Sequence, residues 1–526
     1  MTPENVKKKR IIDFVIVSVL FVLSILLRVS NYTGLSVYPD ELTYSFYSFS
    51  ILAHNWCWPT EFMLTQPPLV PYLLAILTYL FGGSLEVLRI VPILFSSMSV
   101  VVVYFMGKEL FNRKVGVISA ILLCFCSYHI LYGKIIMLES TIIFFIFLAL
   151  YFFWKAHNEE KLRYAIAAGI FLGLANDTKY IGLLLYPVVI LFILWAKKNW
   201  KFMFGLRELM EKRVLTMFLV SFLVFLPVLL DLYIHRVDPF LYFLFGKFKG
   251  GAYAGYKSFS FVDLIIHGFN NYIDMMIDAN NPVTASISWL PAYQLAASFL
   301  LISTLLYFLY LTFKGKNNAS LLFIFFIVFN IFVALYKQRF QYYLLWAFPA
   351  FLIMLSSMSV DFVEKIKIRL KSNSTSSADI FRILFLLFTC IFIFSSIFIS
   401  IVSPHNESVF VGYESQIIKI KANIQPGDSI TTDKTMIPLV NYYLAKYDFD
   451  AGQRNIRIFP LYKIVFRHRI KRGVDLEMLD IVKPRFIITP IYYHSAYADK
   501  YDEIIIRENY NLISNEDNVL LYERKT

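Results

Sequence analysis

The chain has 526 residues, of which 58% are hydrophobic and 18% aromatic, and its mean hydropathy is +0.60. That is more apolar side chain than a water-soluble fold can bury, so the composition points to a polytopic membrane protein and excludes a soluble enzyme. The net charge of +13 does not indicate nucleic acid: the surplus Lys and Arg concentrate in short loops on one side of the membrane, while the tail after Ser403 holds 17 basic and 16 acidic residues and is nearly neutral.

At the start, Lys7-Lys8-Lys9-Arg10 precede an apolar run to Leu27 with no small-x-small cleavage site. This reads as an uncleaved anchor with its N-terminus inside. The first span, over residues 14–30, delivers Tyr38-Pro39-Asp40-Glu41 to the outer face. Two carboxylates beside a bilayer are costly unless they meet water or a substrate. Proline followed by two acids equally suits the first turn of a helix.

Three apolar runs follow, at 69–81, 90–106 and 115–131. The first is short of the roughly 20 residues a crossing needs, and it is flanked by Gln66-Pro67-Pro68 and Gly82-Gly83 rather than by basic residues. It is therefore expected to be a juxtamembrane helix on the outer face. This phase puts Lys108, Arg113 and Lys114 inside, as the positive-inside bias requires, and returns Lys134 and Glu139 to the outer face. Continuing the count gives about eleven spans. Asn176-Asp177-Thr178-Lys179 and Tyr336-Lys337-Gln338-Arg339 lie outside, and so does a long Tyr-, Phe- and Gly-rich loop, 235–291.

From Pro404 the composition becomes that of a soluble domain. Strands are expected at 429–432, 485–489, 510–514 and 519–522, and helices at 437–445 and 474–481. The expected fold is thus an all-α polytopic membrane domain, 1–403, followed by a small extracytoplasmic α/β domain, 404–526. Cys57, Cys124, Cys126 and Cys390 lack metal-ligand spacing, and His54, His129 and His235 stand apart from one another.

The ionisable groups that this topology collects at the outer face are Asp40, Glu41, Arg89, Lys134, Glu139, Asp177, Lys179, Lys337 and Arg339. Cations at a lipid interface suit a phosphate and the negative charge that develops as it leaves. A carboxylate within hydrogen-bond reach can take a proton from an attacking hydroxyl. Plain roles stand beside these. Arg89 and Lys179 can anchor helix ends, Glu139 can pair with Lys134 five residues away, and the aromatic loop can be an interface belt.

The ordered set of motifs resembles the GT-C superfamily of membrane glycosyltransferases, near its protein O-mannosyltransferase and aminoarabinose transferase branches. It consists of Tyr38-Pro39-Asp40-Glu41, Gln66-Pro67-Pro68-Leu69, Leu88-Arg89-Ile90-Val91-Pro92, Met137-Leu138-Glu139-Ser140, Gly173–Lys179 and Arg339-Phe340-Gln341-Tyr342-Tyr343. The resemblance implies a plasma-membrane enzyme that inverts a single sugar as it passes from a polyprenyl-phosphate donor, with mannose or another hexose foremost, to a protein, glycan or lipid acceptor. Asp40 would be the base, Glu41 its support and Glu139 the acid that orients acceptor or metal. Arg89, Lys134, Lys179, Arg339, Gln66 and Tyr342 would line the substrate site. Some members use a divalent metal and others none; here Asp40 and Glu139 would hold it. Gln66 replaces the Lys that aminoarabinose transferases carry before the two prolines, which argues against that exact sugar. The competing class is a transporter or flippase of a polyprenyl-linked or other amphipathic anion, which needs the cations but no acid beside an acceptor.

Overall fold

A computed structural model describes residues 3–33, 37–57, 66–196, 209–234, 269–270, 272–276, 290–335, 341–371, 377–402 and 411–421. Of the remainder it describes 424–425, 428–432, 440, 457–460, 485–490, 510–516 and 519–525. The chain divides into two compact units, one comprising Met1–Tyr32 and Tyr47–His405, the other Thr33–Phe46 and Asn406–Thr526. Asp40 and Glu41 thus group with the C-terminal part and not with the helical body.

The helices in chain order are α1 (Pro3–Val29), α2 (Pro39–Ala53), α3 (Leu69–Phe81), α4 (Leu85–Leu88), α5 (Ile90–Leu110), α6 (Arg113–Cys124), α7 (Ser127–Leu131), α8 (Leu138–Glu159), α9 (Leu162–Thr178) and α10 (Leu185–Ala196). They continue with α11 (Lys212–Ile234), α12 (Leu290–Phe313), α13 (Asn317–Leu335), α14 (Phe348–Lys371), α15 (Ser377–Val402) and α16 (Val411–Lys421). Among the described residues, 6 helical segments are long and apolar enough to cross a membrane: Lys7–Val29, Leu85–Leu110, Leu138–Glu159, Lys212–Asp231, Pro291–Phe313 and Ala378–Ile401. Leu69–Phe81, Tyr180–Ala196 and Asn317–Val333 are apolar but shorter. The run at 115–131, expected as one span, is two helices with a break at Phe125–Cys126, where Cys126 turns extended.

Burial sets the order of packing within the helical unit. Only 11% of the α1 window is buried, against 72% for that of α8, so α1 is peripheral and α8 central. The N-terminal half of α1 is nonetheless tied down. Asp13 accepts from Tyr104 Oη at 2.6 Å, Lys108 Nζ at 2.5 Å and Arg113 Nε at 2.9 Å. A carboxylate within an apolar helix is tolerable when it is paired in this way.

Glycine brings α9 against α11. A Cβ on Gly173 would stand 2.5 Å from Val224 Cβ, and one on Gly169 would stand 2.5 Å from Met217 O. Small residues four apart let two helix backbones approach closely. Gly173→Val is expected to destabilise the helical unit by about 1–3 kcal/mol through overpacking. Its midpoint in denaturant titration of the detergent-solubilised protein should fall, and an unchanged midpoint would show that α11 simply shifts aside.

In the second unit, β1 (Ser429–Thr432), β2 (Arg457–Pro460), β3 (Phe486–Pro490), β4 (Tyr510–Glu516) and β5 (Val519–Arg524) form a 5-stranded sheet in the order β2-β1-β3-β5-β4. β1 pairs in parallel with β2 and β3, while β5 runs antiparallel to β3 and β4. Ile430, Ile487, Ile488 and Leu521 are fully buried. Strand β2 was not expected from the sequence. The helices expected at 437–445 and 474–481 fall outside the described residues apart from Val440.

Candidate functional site

Helix α2 begins at Pro39, whose fixed φ and missing N–H suit the first helical position. Glu41 is fully buried and its Oε2 accepts from Tyr38 N at 3.0 Å. An acid at the third helical position reaching back to the N–H just before the helix is half of a capping box. Asp40, one residue earlier, is exposed. The two neighbouring carboxylates are therefore unlike: Glu41 closes the helix start, and Asp40 faces outward at the positive end of the helix dipole.

Within the helical unit, Glu139 lies in the first turn of α8 and is 1% exposed. Its partner is Lys179, which follows α9, and not the sequence-near Lys134. The Lys179 Nζ to Glu139 Oε1 distance is 2.5 Å. Three aromatic rings surround the same ammonium, with centroids at 5.9 Å for Tyr342, 5.1 Å for Tyr343 and 5.0 Å for Trp346. Ring faces attract a desolvated cation, so the 3-10 turn Gln341–Trp346 acts as a cage that holds Lys179 against the carboxylate. Glu139 Oε2 is buried and unpartnered. One carboxylate oxygen is thus fixed and the other left as an acceptor with nothing to accept.

The loop between α7 and α8 supplies Lys134. It is well fastened: Ser140 Oγ donates to Tyr132 O at 2.7 Å, and Ile135, Ile136 and Met137 are buried. Lys134 Nζ donates to Ser30 O at 2.6 Å, and Arg89 Nη1 donates to Tyr32 O at 2.6 Å. Both side chains are 2% exposed. They grip the backbone just past the end of α1, where carbonyls lack helical partners. Gln66 is half-buried, with its Oε1 unpartnered. Tyr342 packs on Tyr132 with centroids 5.4 Å apart. Arg339 lies outside the described residues. Among those described, no three His, Cys, Asp or Glu side chains cluster as a metal site.

Of the expected residues, then, Glu139, Lys179 and Tyr342 come together. Arg89 and Lys134 converge on the segment after α1. Asp40 and Glu41 belong to the other unit. Sequence reasoning missed Tyr343 and Trp346 as members of the cage, and it missed that Arg28 and His129 are joined by a 2.7 Å Nη2–Nδ1 hydrogen bond.

Residues 65–230 match the family model described as dolichyl-phosphate-mannose-protein mannosyltransferase. The undecaprenyl phosphate-alpha-4-amino-4-deoxy-L-arabinose arabinosyl transferase of Wigglesworthia glossinidia brevipalpis is 29% identical over 192 residues, 35% of this chain. The match spans only 34% of that relative's length. ArnT from Cupriavidus metallidurans, solved bound to undecaprenyl phosphate, is similar with a TM-score of 0.56 at 12% identity, over 96% of this chain and 97% of that one. The oligosaccharyltransferase AglB from Archaeoglobus fulgidus, solved with an inhibitory peptide and a dolichol-phosphate, is similar with a TM-score of 0.60 at 15% identity, over 98% of this chain and 75% of that one. The resemblance to GT-C glycosyltransferases read from the motifs is borne out, and the fold is of that kind.

Proposed function

We propose that this GT-C-like chain is a multi-pass membrane glycosyltransferase that moves one sugar, a hexose such as mannose foremost, from a polyprenyl-phosphate donor to an extracytoplasmic acceptor. The observation that carries the reading is the buried Glu139, fixed on one oxygen by the caged Lys179 and open on the other. Lone buried carboxylates are costly, and an oxygen kept open at that cost suits a hydroxyl donor or a cation from a substrate. Likeness over almost the whole length of a transferase solved with undecaprenyl phosphate supports the donor class.

In this mechanism Asp40 takes the proton of the acceptor nucleophile, which attacks the anomeric carbon as the bond to the phosphate oxygen breaks. The electron pair leaves with the phosphate, so no strong general acid is required, and a single displacement inverts the anomeric centre. Glu41 keeps the start of α2 closed beside Asp40. Glu139 orients the acceptor through Oε2. Lys179, together with Arg339, Gln66 and Tyr342, lines the donor side, while Arg89 and Lys134 hold the segment after α1. Eleven crossings, an inner N-terminus and an outer C-terminal sheet complete the arrangement.

The test is transfer by the purified full-length protein from a panel of polyprenyl-phosphate sugars to acceptors in membrane extract. Labelled product with inverted anomeric configuration is the expected result. Movement of labelled polyprenyl phosphate across liposomes, with no sugar transferred, would overturn the reading in favour of a flippase.

A further inference from the structure

Arg28, in the last turn of α1, is fully buried. Its Nη1 donates to Ser24 O at 3.0 Å and to Ser24 Oγ at 2.6 Å, its Nε donates to Ser96 Oγ, and its Nη2 lies 2.7 Å from His129 Nδ1. A guanidinium can only donate, so His129 Nδ1 is the acceptor. One side chain thus joins α1, α5 and α7. None of its partners is an anion, and a cation held away from water by neutral acceptors is costly. A side chain that only filled space among these helices could be apolar and avoid that cost. What the guanidinium adds is direction, because its planar fork fixes each partner at a set angle.

Ser96 and His129 both underlie the loop that leads into α8. Gly133 rests on them: a Cβ there would overlap Ser96 Oγ and stand 2.8 Å from His129 O. Gly133 N also donates to His129 O at 3.1 Å. From this support the loop runs to Met137, whose N–H closes on Ile135 O at 2.8 Å, and Glu139 follows in the first turn of α8.

A second route leaves α7 through its aromatic rings. Tyr132 stacks on Tyr128 of α7 with centroids 6.3 Å apart, and it packs against Tyr342 at 5.4 Å. Tyr342 is one of the rings around Lys179. Both members of the Glu139–Lys179 pair are therefore reached from α7, Glu139 along the backbone and Lys179 through the cage.

We propose that Arg28 is a positioning residue for sugar transfer. By fixing Ser96 Oγ and His129 Nδ1 it sets how the loop 132–137 lies, and with it where the Glu139 carboxylate stands. This rests on the reading of the chain as a glycosyltransferase in which Glu139 orients the acceptor. Arg28 acts through these neighbours and not on the substrate.

The test compares full-length wild type with Arg28→Met, His129→Leu and His129→Asn in maltoside micelles. In hydrogen exchange read by mass spectrometry, the amides of 132–137 should exchange faster in Arg28→Met and His129→Leu, while those of 142–153 exchange as in wild type. The kcat for transfer should fall at least about tenfold in both, within the roughly hundredfold that an ångström of misplacement can cost, and KM for the polyprenyl-phosphate sugar should not change. His129→Asn should restore kcat and the slow loop exchange, because its amide oxygen can accept from Arg28 Nη2. Loop exchange that stays slow in Arg28→Met would overturn the proposal. So would faster exchange throughout the helical unit, or His129→Asn behaving as His129→Leu does, since the contact would then be ordinary packing. Wild type that transfers sugar while the variants keep its kcat would sink the positioning role alone. Wild type that transfers none would sink the enzyme reading and this role with it.

Discussion

Asp40→Asn is expected to lower sugar transfer at least about a hundredfold, the lower end of what a general base contributes, while leaving the protein folded. The substitution is nearly isosteric, and Asp40 is exposed in the first turn of α2. The substitution gives up a favourable charge at a helix N-terminus, about 0.3–1 kcal/mol. A hundredfold rate loss corresponds to about 2.7 kcal/mol in the barrier, so catalysis and stability separate cleanly. Initial rates at saturating donor, alongside a denaturant midpoint, provide the measurement. Glu41→Gln serves as the comparison: the amide can still accept from Tyr38 N, and its rate should stay far closer to wild type. If Asp40→Asn transfers as fast as wild type, the base is another acid, Glu41 or Glu139.

Apolar helices were legible because hydropathy is local: the run read at 140–154 declares itself without reference to any other part of the chain, and it lies within α8. The break in 115–131 was not, since neither Gly nor Pro marks Phe125–Cys126 and the polar residues just beyond it, Ser127 and His129, are too few to announce a turn. Pro39-Asp40-Glu41 could be read both as a helix start and as a reactive pair, and the structure assigns the capping contact to Glu41 and the exposed position to Asp40. Spacing misdirects attention at Glu139: the nearest cation in sequence is Lys134, but the ion pair is with Lys179, 40 positions on. That pairing depends on how α8 packs on α9, which no local pattern encodes. The Arg28–His129 contact spans 101 positions, so a histidine that looks isolated in sequence need not be isolated in the fold. Strand β2, four residues opened by an arginine, has too little alternation to stand out and is specified by its pairing with β1.

The second large effect is an asymmetric double-mutant cycle on Glu139 and Lys179. Lys179→Met strands a carboxylate that is 1% exposed, and removing one partner of a buried pair costs about 3–5 kcal/mol. Glu139→Gln strands the ammonium instead, but Tyr342, Tyr343 and Trp346 remain around it. Each such ring contact is worth about 0.5–2 kcal/mol to a desolvated cation, so this single variant should lose distinctly less stability. The double variant has no buried charge at the site, and its methionine still fills the aromatic cage. It should therefore recover most of what Lys179→Met loses, with a coupling of about 0.5–3 kcal/mol or more in a denaturant series. Strict additivity would mean that water reaches the pair and that it is not the sealed contact described above. Transfer should follow a different rule: if Glu139 Oε2 orients the acceptor, the double variant regains stability without regaining activity. Recovery of both together would make the pair a structural strut and leave the chemistry to Asp40 alone.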